Sequence, residues 1–80
     1  EKSVRLSLKE FEVLKILLAN PNGIVSKEEL IVKVWGSDSN AEDNNVEAYI
    51  SFLRKKFFYL GSRTGIGTVR KVGYHLEENA

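Results

Sequence analysis

The feature that most constrains the fold is an apolar stripe in the third quarter of the chain. Its members lie four, three, four and three residues apart, at Val46, Ile50, Leu53, Phe57 and Leu60. Because an α-helix turns by about 100° per residue, this spacing places all five side chains on one face. The pattern predicts a long third helix that ends at Gly61. Its opposite, solvent-facing side is centred on Asn44, Ala48, Ser51 and Lys55.

A first helix is predicted over residues 8–19, after a short extended piece at residues 4–6. Ser7 and Glu10 have the spacing of a capping box, in which each side chain accepts a hydrogen bond from the backbone of the other. The apolar positions at helical spacing are Phe11, Leu14, Leu17 and Leu18. The turn-forming residues 20–23, which include a proline, end this helix.

A second, shorter helix is predicted to begin at another capping box and to end near Trp35. Ser26 and Glu29 form this box, and the apolar positions are Leu30, Ile31 and Val34. The small and polar residues 36–43 then predict a loop.

After Gly61 the helical spacing of apolar residues ends, and two short runs of strand-forming residues follow. They predict a β-hairpin with strands at residues 66–69 and 73–76. Gly65, Gly67 and Gly73 raise the alternative of a phosphate-binding loop. Their spacing is not that of a Walker motif and no helix follows them, so we interpret them as turn and bulge glycines.

Charge is distributed unevenly along the chain. Residues 48–76 contain six Lys or Arg residues and no Asp or Glu, namely Arg54, Lys55, Lys56, Arg63, Arg70 and Lys71. Residues 1–47 contain six basic and nine acidic residues, and Glu77 and Glu78 complete a net charge of +1 (12 − 11). A concentrated cationic region of this kind is typical of proteins that bind the phosphate backbone of nucleic acids.

The sequence contains few residues of the types that catalyse reactions or bind metal ions. It has no cysteine, which excludes disulfides, thiolate metal sites and a cysteine nucleophile. His75 is its one histidine, and no nucleophile, base and orienting residue are grouped in the sequence. We therefore predict a chain that is not an enzyme and that has no cofactor and no metal.

The order helix, helix, loop, long helix, hairpin is that of a winged helix-turn-helix, an α+β fold. In this design the third helix enters the major groove of DNA, and the hairpin, or wing, reaches the backbone or the minor groove. The sequence therefore predicts a DNA-binding domain.

Four segments also resemble one protein family. They are LSLKEF at residues 6–11, VWG at 34–36, VEAYISFLRKK at 46–56 and TVRKVGY at 68–74. In this order and spacing they resemble the OmpR/PhoB family, the winged-helix effector domains of bacterial two-component response regulators, and the resemblance spans residues 4–77. The length of 80 residues predicts a single domain, and the resemblance implies that residues 1–80 are the C-terminal effector part of a longer, cytoplasmic protein that regulates transcription through a phosphorelay.

The resemblance implies a set of site residues. On the recognition helix they are Asn44, Asn45, Glu47, Ala48, Ser51, Phe52, Arg54 and Lys55. On the wing they are Thr68, Arg70 and Lys71, with Arg70 at the position that inserts into the minor groove. The loop associated in the family with RNA polymerase falls on Gly36, Ser37, Asp38, Ser39, Asn40, Ala41, Glu42 and Asp43.

This sequence departs from the family pattern in three respects. Only residues 4–6 remain of the four-stranded sheet that usually precedes the first helix, and the receiver domain has no counterpart. Lys71 occupies a position that is usually glycine. Ser51 and Phe52 occupy a region that is often rich in arginine, so we expect polar readout from Asn44, Asn45 or Ser51, and contact of Ala48 or Phe52 with thymine methyl groups.

The roles of several side chains stay open at this point. Arg54 either contacts phosphate or pairs with a carboxylate of the first helix such as Glu10. Lys56 either borders the buried stripe or is solvated. Tyr49 and Trp35 are expected to pack against the core, with base contact as the alternative for Tyr49 and contact with the DNA backbone as the alternative for Trp35. Thr68 either bonds phosphate or serves as a strand former.

The expected partner is double-stranded DNA carrying direct repeats, with RNA polymerase as a further candidate and no membrane. The isolated chain is expected to be monomeric, and the longer protein to be dimeric on DNA. The competing hypothesis is a winged helix that binds only protein. Such modules often lose the cations of the third helix and wing, whereas here the cations are concentrated there.

Overall fold

The computed structural model describes residues 2–78. Three helices and a hairpin follow one another in the predicted order. They are α1 (Leu8–Leu18), α2 (Lys27–Leu30) with its π-helical continuation (Ile31–Trp35), α3 (Asp43–Leu60), β1 (Thr64–Val69) and β2 (Gly73–Glu78). None of the helices in the described part of the chain is both long enough and apolar enough to cross a bilayer.

Helix α1 begins at the predicted capping box. The Glu10 N–H donates to Ser7 Oγ at 3.2 Å, and the Ser7 N–H donates to Glu10 Oε1 at 2.7 Å. The predicted apolar face is wrong at two positions, because Phe11 and Leu18 are 52% and 58% exposed. Leu17 is buried as predicted, but the core also receives Val13, which was not among the predicted positions. Apolar residues occur on several sides of this helix, so spacing alone does not select the face.

The second helix has only half of its predicted capping box. Ser26 Oγ accepts the Glu29 N–H at 3.0 Å, but the Glu29 carboxylate binds Lys33 Nζ at 2.8 Å and does not return to Ser26. After Leu30 the helix widens into the π-helical turn, closed by a bond from the Gly36 N–H to the Ile31 carbonyl at 3.0 Å.

Helix α3 confirms the predicted stripe at four of its five positions, Leu60 being half-buried outside the core cluster. Val46, Ile50 and Leu53 are buried, and Phe57 packs against the same core. The helix ends at Gly61, which adopts the left-handed conformation with φ 69°. It begins one residue earlier than expected, because Asp43 is already helical and the preceding loop covers only residues 36–42.

The wing, which we define as β1, β2 and the tip residues 70–72, is longer than predicted. Its antiparallel register runs from Thr64 opposite Glu78 to Val69 opposite Gly73. Tyr74 in β2 also pairs with Val25, with bonds of 2.8 and 2.9 Å in the two directions, so an isolated β-bridge before α2 anchors the wing to the body. This pairing was not predicted.

The three wing glycines lie in strands and not in the turn, which corrects their interpretation as turn and bulge glycines. Gly73 has a clear packing reason. A Cβ atom there would lie 2.1 Å from the Val25 carbonyl oxygen, so only glycine allows β2 to approach this backbone. The tip itself contains Lys71, whose φ of 65° is left-handed.

The core is a single apolar cluster between the three helices and the wing. Its buried members are Val13, Leu17, Val25, Leu30, Val34, Val46, Ile50, Leu53, Ile66 and Tyr74. Every element contributes at least one side chain, and α3 contributes three. Burial of α3 therefore fixes the orientation of its outer face.

Glu10 is the buried charged residue of this core, and its partner is Lys56, at the border of the buried stripe, and not Arg54. Lys56 Nζ donates to Glu10 Oε1 at 2.6 Å and to the Arg5 carbonyl at 2.7 Å, so Lys56 is not simply solvated and Arg54 does not reach Glu10. Burial alone would raise the pKa of Glu10. Hydrogen bonds from Lys56 and Ser7, together with the charge of Lys56, outweigh it and lower the pKa.

We predict that Lys56→Ala lowers the free energy of unfolding by about 2 kcal/mol, because it leaves a buried carboxylate without its cation. The matched control Lys33→Ala removes the exposed pair with Glu29 and should cost no more than about 0.5 kcal/mol. Urea unfolding monitored by circular dichroism measures both.

The same pair predicts a pH dependence. The lowered pKa of Glu10 stabilises the fold fully above the ordinary glutamate pKa of about 4.3, and this contribution is lost as pH falls through the lowered value. The difference between wild type and Lys56→Ala should therefore shrink below about pH 4. A difference that stays constant down to pH 2 would contradict the assignment.

Candidate nucleic-acid interface

The outer side of α3 forms a continuous surface that we call the recognition face, made of Asn44, Ala48, Ser51 and Lys55. Asn44, Ser51 and Lys55 are exposed and Ala48 is half-buried. These positions lie opposite the buried stripe, as the helical period requires. The predicted solvent-facing side of the third helix is therefore confirmed in its position.

Asn45 and Glu47, at the start of α3, are both engaged within the domain. Asn45 Oδ1 accepts the Glu42 N–H at 2.8 Å and so caps the helix. Glu47 Oε2 accepts from Lys27 Nζ at 2.7 Å, and this hydrogen bond raises the pKa of Lys27. Lys27 is 20 residues away in the chain and no local pattern marks it, so this neutralisation of Glu47 was missed.

An aromatic row runs from the second helix onto α3. The ring centroids of Trp35 and Tyr49 lie 5.4 Å apart, and those of Tyr49 and Phe52 lie 5.3 Å apart, both edge to face. Trp35 and Tyr49 pack against the core as expected. Phe52 is 44% exposed at the outer end of the row, so its ring has a fixed support on one side and solvent on the other.

The wing tip presents two cations. Arg70 and Lys71 are both exposed, next to the last pair of the ladder, Val69 with Gly73. Lys71 is the non-glycine residue with a positive φ within residues 2–78. An L-residue in this conformation carries a steric cost of about 1 kcal/mol, and such outliers concentrate at functional sites.

Arg54 does not make the expected pair with a carboxylate of α1, because its guanidinium group is turned towards the wing. Its Nε and Nη2 atoms donate to the Ile66 carbonyl at 3.0 and 2.7 Å, and Nη2 also donates to Thr68 Oγ1 at 2.7 Å. The guanidinium group thus joins α3 to β1. Thr68 is exposed, and its hydroxyl oxygen is held by this contact.

The loop between the second and third helices is held locally and largely exposed. The Ser39 N–H donates to the Gly36 carbonyl at 3.2 Å, and Ser39 Oγ accepts the Ala41 N–H at 3.3 Å. Of the eight residues expected to form it, Asp43 belongs to α3. Arg63 lies exposed in the connection from α3 to β1.

The residues predicted to contact DNA therefore fall on α3 and on the wing, with Arg54 joining the two, and the predicted polymerase-contact loop lies apart from both in the chain. Within residues 2–78 no group of three or more His, Cys, Asp or Glu side chains is placed to hold a metal ion. The geometry is that of a charged, two-part surface for an extended anionic partner.

Comparison with known proteins agrees with this geometry. Residues 1–76 match the family model described as "Transcriptional regulatory protein, C terminal". Among curated proteins, the transcriptional regulatory protein DltR of Streptococcus agalactiae is 46% identical over 78 residues, which are 98% of this chain and 35% of DltR. The chain thus spans about a third of the length of this relative.

Solved structures give the same assignment. The C-terminal domain of the nisin resistance regulator NsrR is 43% identical, with a TM-score of 0.76 over 95% of this chain and 76% of that one. The DNA-binding domain of response regulator AdeR, solved in complex with an intercistronic region, is 28% identical, with a TM-score of 0.80 over 92% and 74% of the two chains. The predicted winged helix is confirmed. The chain belongs to the OmpR/PhoB-type C-terminal domains of transcriptional regulatory proteins, which are winged-helix DNA-binding domains.

Proposed function

We propose that this domain binds double-stranded DNA in a sequence-specific manner, as the output domain of a two-component response regulator that controls transcription. Helix α3 enters the major groove with its recognition face, and the wing places Arg70 in the adjacent minor groove. The observation that carries the proposal is the set of exposed cations, Lys55 on α3 with Arg70 and Lys71 at the wing tip, within a stretch that contains no acid. The DNA complex of the related AdeR domain supports it.

The number of cations free to meet phosphate is smaller than the sequence suggests. Of the six in residues 48–76, Arg54 and Lys56 are bound inside the domain, which leaves four (6 − 2): Lys55, Arg63, Arg70 and Lys71. None of the four pairs with a carboxylate in the described part of the chain. About four phosphates are therefore the upper limit for these residues.

In this proposal the bases are read by uncharged polar and apolar side chains of α3, together with Glu47. Asn44 and Ser51 supply hydrogen bonds, and Ala48 and Phe52 contact thymine methyl groups, because no arginine lies on the middle of the recognition face. Oε1 of Glu47 has no hydrogen-bond partner among residues 2–78 and is suited to accept from a cytosine amino group. Asn45 contributes less than expected, since its side-chain oxygen caps α3.

The wider setting follows from the family. The exposed loop at residues 36–42 is our candidate for contact with RNA polymerase, and direct repeats on DNA are the expected target of a dimer of the longer protein. A monomeric isolated domain and a cytoplasmic location complete the proposal. A protein-binding module without DNA readout is the competing function, and the cationic wing tip argues against it.

We predict that DNA affinity falls steeply with salt, with a slope of log K against log salt of about −3 to −4 for four released counterions. Arg70→Ala should weaken binding at every salt concentration. Fluorescence anisotropy on duplexes selected from a random pool measures both. A flat salt response together with an unchanged affinity for Arg70→Ala would favour the protein-binding module.

We predict that replacing one thymine of the selected site by deoxyuridine lowers affinity about fourfold, since this removes a single buried methyl group of about 0.8 kcal/mol. Phe52→Ala should abolish that sensitivity. Phe58→Ala is the matched control, because this phenylalanine of the same helix is 89% exposed and lies beyond the recognition face. Equal sensitivity of the wild-type and Phe52→Ala proteins would exclude methyl readout by Phe52.

We predict that Lys71→Gly raises the free energy of unfolding by up to about 1 kcal/mol, because glycine relieves the positive φ. Lys71→Ala removes the same charge without that relief and should not be stabilised. Both variants should bind DNA equally weakly, with the salt slope reduced by about 1. If only the glycine variant lost affinity, the backbone conformation and not the charge would be the functional element.

A further inference from the structure

The Arg54 side chain starts on the recognition helix and ends on the wing. Three hydrogen bonds connect its guanidinium group to β1, two to the Ile66 carbonyl and one to Thr68 Oγ1, all between 2.7 and 3.0 Å. These partners are 12 and 14 residues away in sequence. No other side-chain hydrogen bond joins α3 to β1 among residues 2–78.

Within residues 2–78, only one strand of the wing is hydrogen-bonded to the backbone of the body, so the Arg54 contact supplies the attachment of the other strand. Strand β2 is anchored through the pairing of Tyr74 with Val25, whereas β1 is an edge strand that has β2 on one side only. On its other side, β1 meets α3 through the buried Ile66 side chain and the Arg54 contact.

We propose that Arg54 is a positioning residue that fixes the spacing between the recognition face and the wing, and not itself a DNA contact. The inference rests on the proposed function, since spacing matters only if α3 and the wing engage one duplex together. Adjacent grooves lie at a set distance, so a wing held in place loses less conformational freedom on binding than one that swings.

The contact also determines what Thr68 can do. Its hydroxyl oxygen accepts a hydrogen bond from the Arg54 guanidinium group, so its hydroxyl hydrogen points away from Arg54. Because Thr68 is exposed, this hydrogen is available to an acceptor outside the domain. A hydroxyl that accepts from a charged group is polarised into a better donor. Arg54 thus prepares Thr68 to donate to a phosphate oxygen beside Arg70.

Salt dependence separates this role from direct phosphate contact. A cation that neutralises a phosphate releases a counterion, and its removal reduces the slope of log K against log salt by about 0.9. A positioning residue lowers affinity while leaving the slope unchanged. Lys55, one turn away from Ser51 on the recognition face, provides the reference for direct contact.

The experiment measures affinity and salt slope of the 80-residue chain for a selected duplex, with variants Arg54→Ala, Arg54→Lys and Lys55→Ala. We expect both Arg54 variants to lose about tenfold in affinity at unchanged slope, because lysine keeps the charge but not the forked donors. Lys55→Ala should reduce the slope by about 0.9. Arg54→Lys, which keeps the aliphatic stem, also serves if Arg54→Ala fails to fold.

A double-mutant cycle tests the Thr68 step. Thr68→Val should weaken binding, and combining it with Arg54→Ala should cost clearly less than the product of the two single losses, because both act through one contact. Independent, multiplying losses would overturn this step.

A second readout needs no DNA. The chain contains no cysteine, so spin labels at Lys15→Cys and Val72→Cys report the distance from α1 to the wing tip by pulsed electron resonance. Arg54→Lys should broaden this distance distribution, and Lys55→Ala should not.

The outcomes are distinct. Full affinity in Arg54→Lys, or a slope reduced in Arg54→Ala as in Lys55→Ala, would make Arg54 a phosphate contact and overturn the proposal. Failure of the wild-type chain to bind any duplex in a salt-dependent manner would instead refute the proposed function. The spin-label distances would then still decide whether Arg54 holds the wing, and an unbroadened distribution would overturn that as well.

Discussion

Burial of the α3 stripe is the constraint on which the rest of the structure depends. Val46, Ile50 and Leu53 reach the centre of a ten-residue core, and every other element packs around them. Because a helix is rigid about its own axis, burying one side determines the direction of the other. A change that rotates the buried stripe about the helix axis therefore also changes the direction of the recognition face.

The elements of the fold could be predicted because their signals are local. Spacing within α3, the Ser7 capping box and the left-handed Gly61 each depend on residues that are neighbours in the chain. The face of α1 could not be predicted, since apolar residues surround that helix and only the assembled core selects Val13 over Phe11.

In the candidate site, too, features that depend on neighbouring residues could be predicted, and features that depend on distant residues could not. Exposure of Asn44, Ser51 and Lys55 follows from helical period alone. The partners of Arg54, Lys56 and Glu47 do not, because each lies between 12 and 51 residues away and depends on how the elements meet. Long, charged side chains reach several neighbours, so the number of Lys and Arg residues in the sequence does not show which of them are available to bind another molecule.

The uneven distribution of charge has a consequence for how the domain meets DNA before any contact forms. The cations of the wing tip and of α3 lie within residues 48–76, which contain no acid, while nine of the eleven acidic residues of the chain precede residue 48. Such a molecule has an electric dipole, and the field around a duplex exerts a torque on it at distances of about a Debye length. Encounters are therefore biased towards those in which the wing and α3 arrive first, which increases the rate of productive association more than the lifetime of the complex.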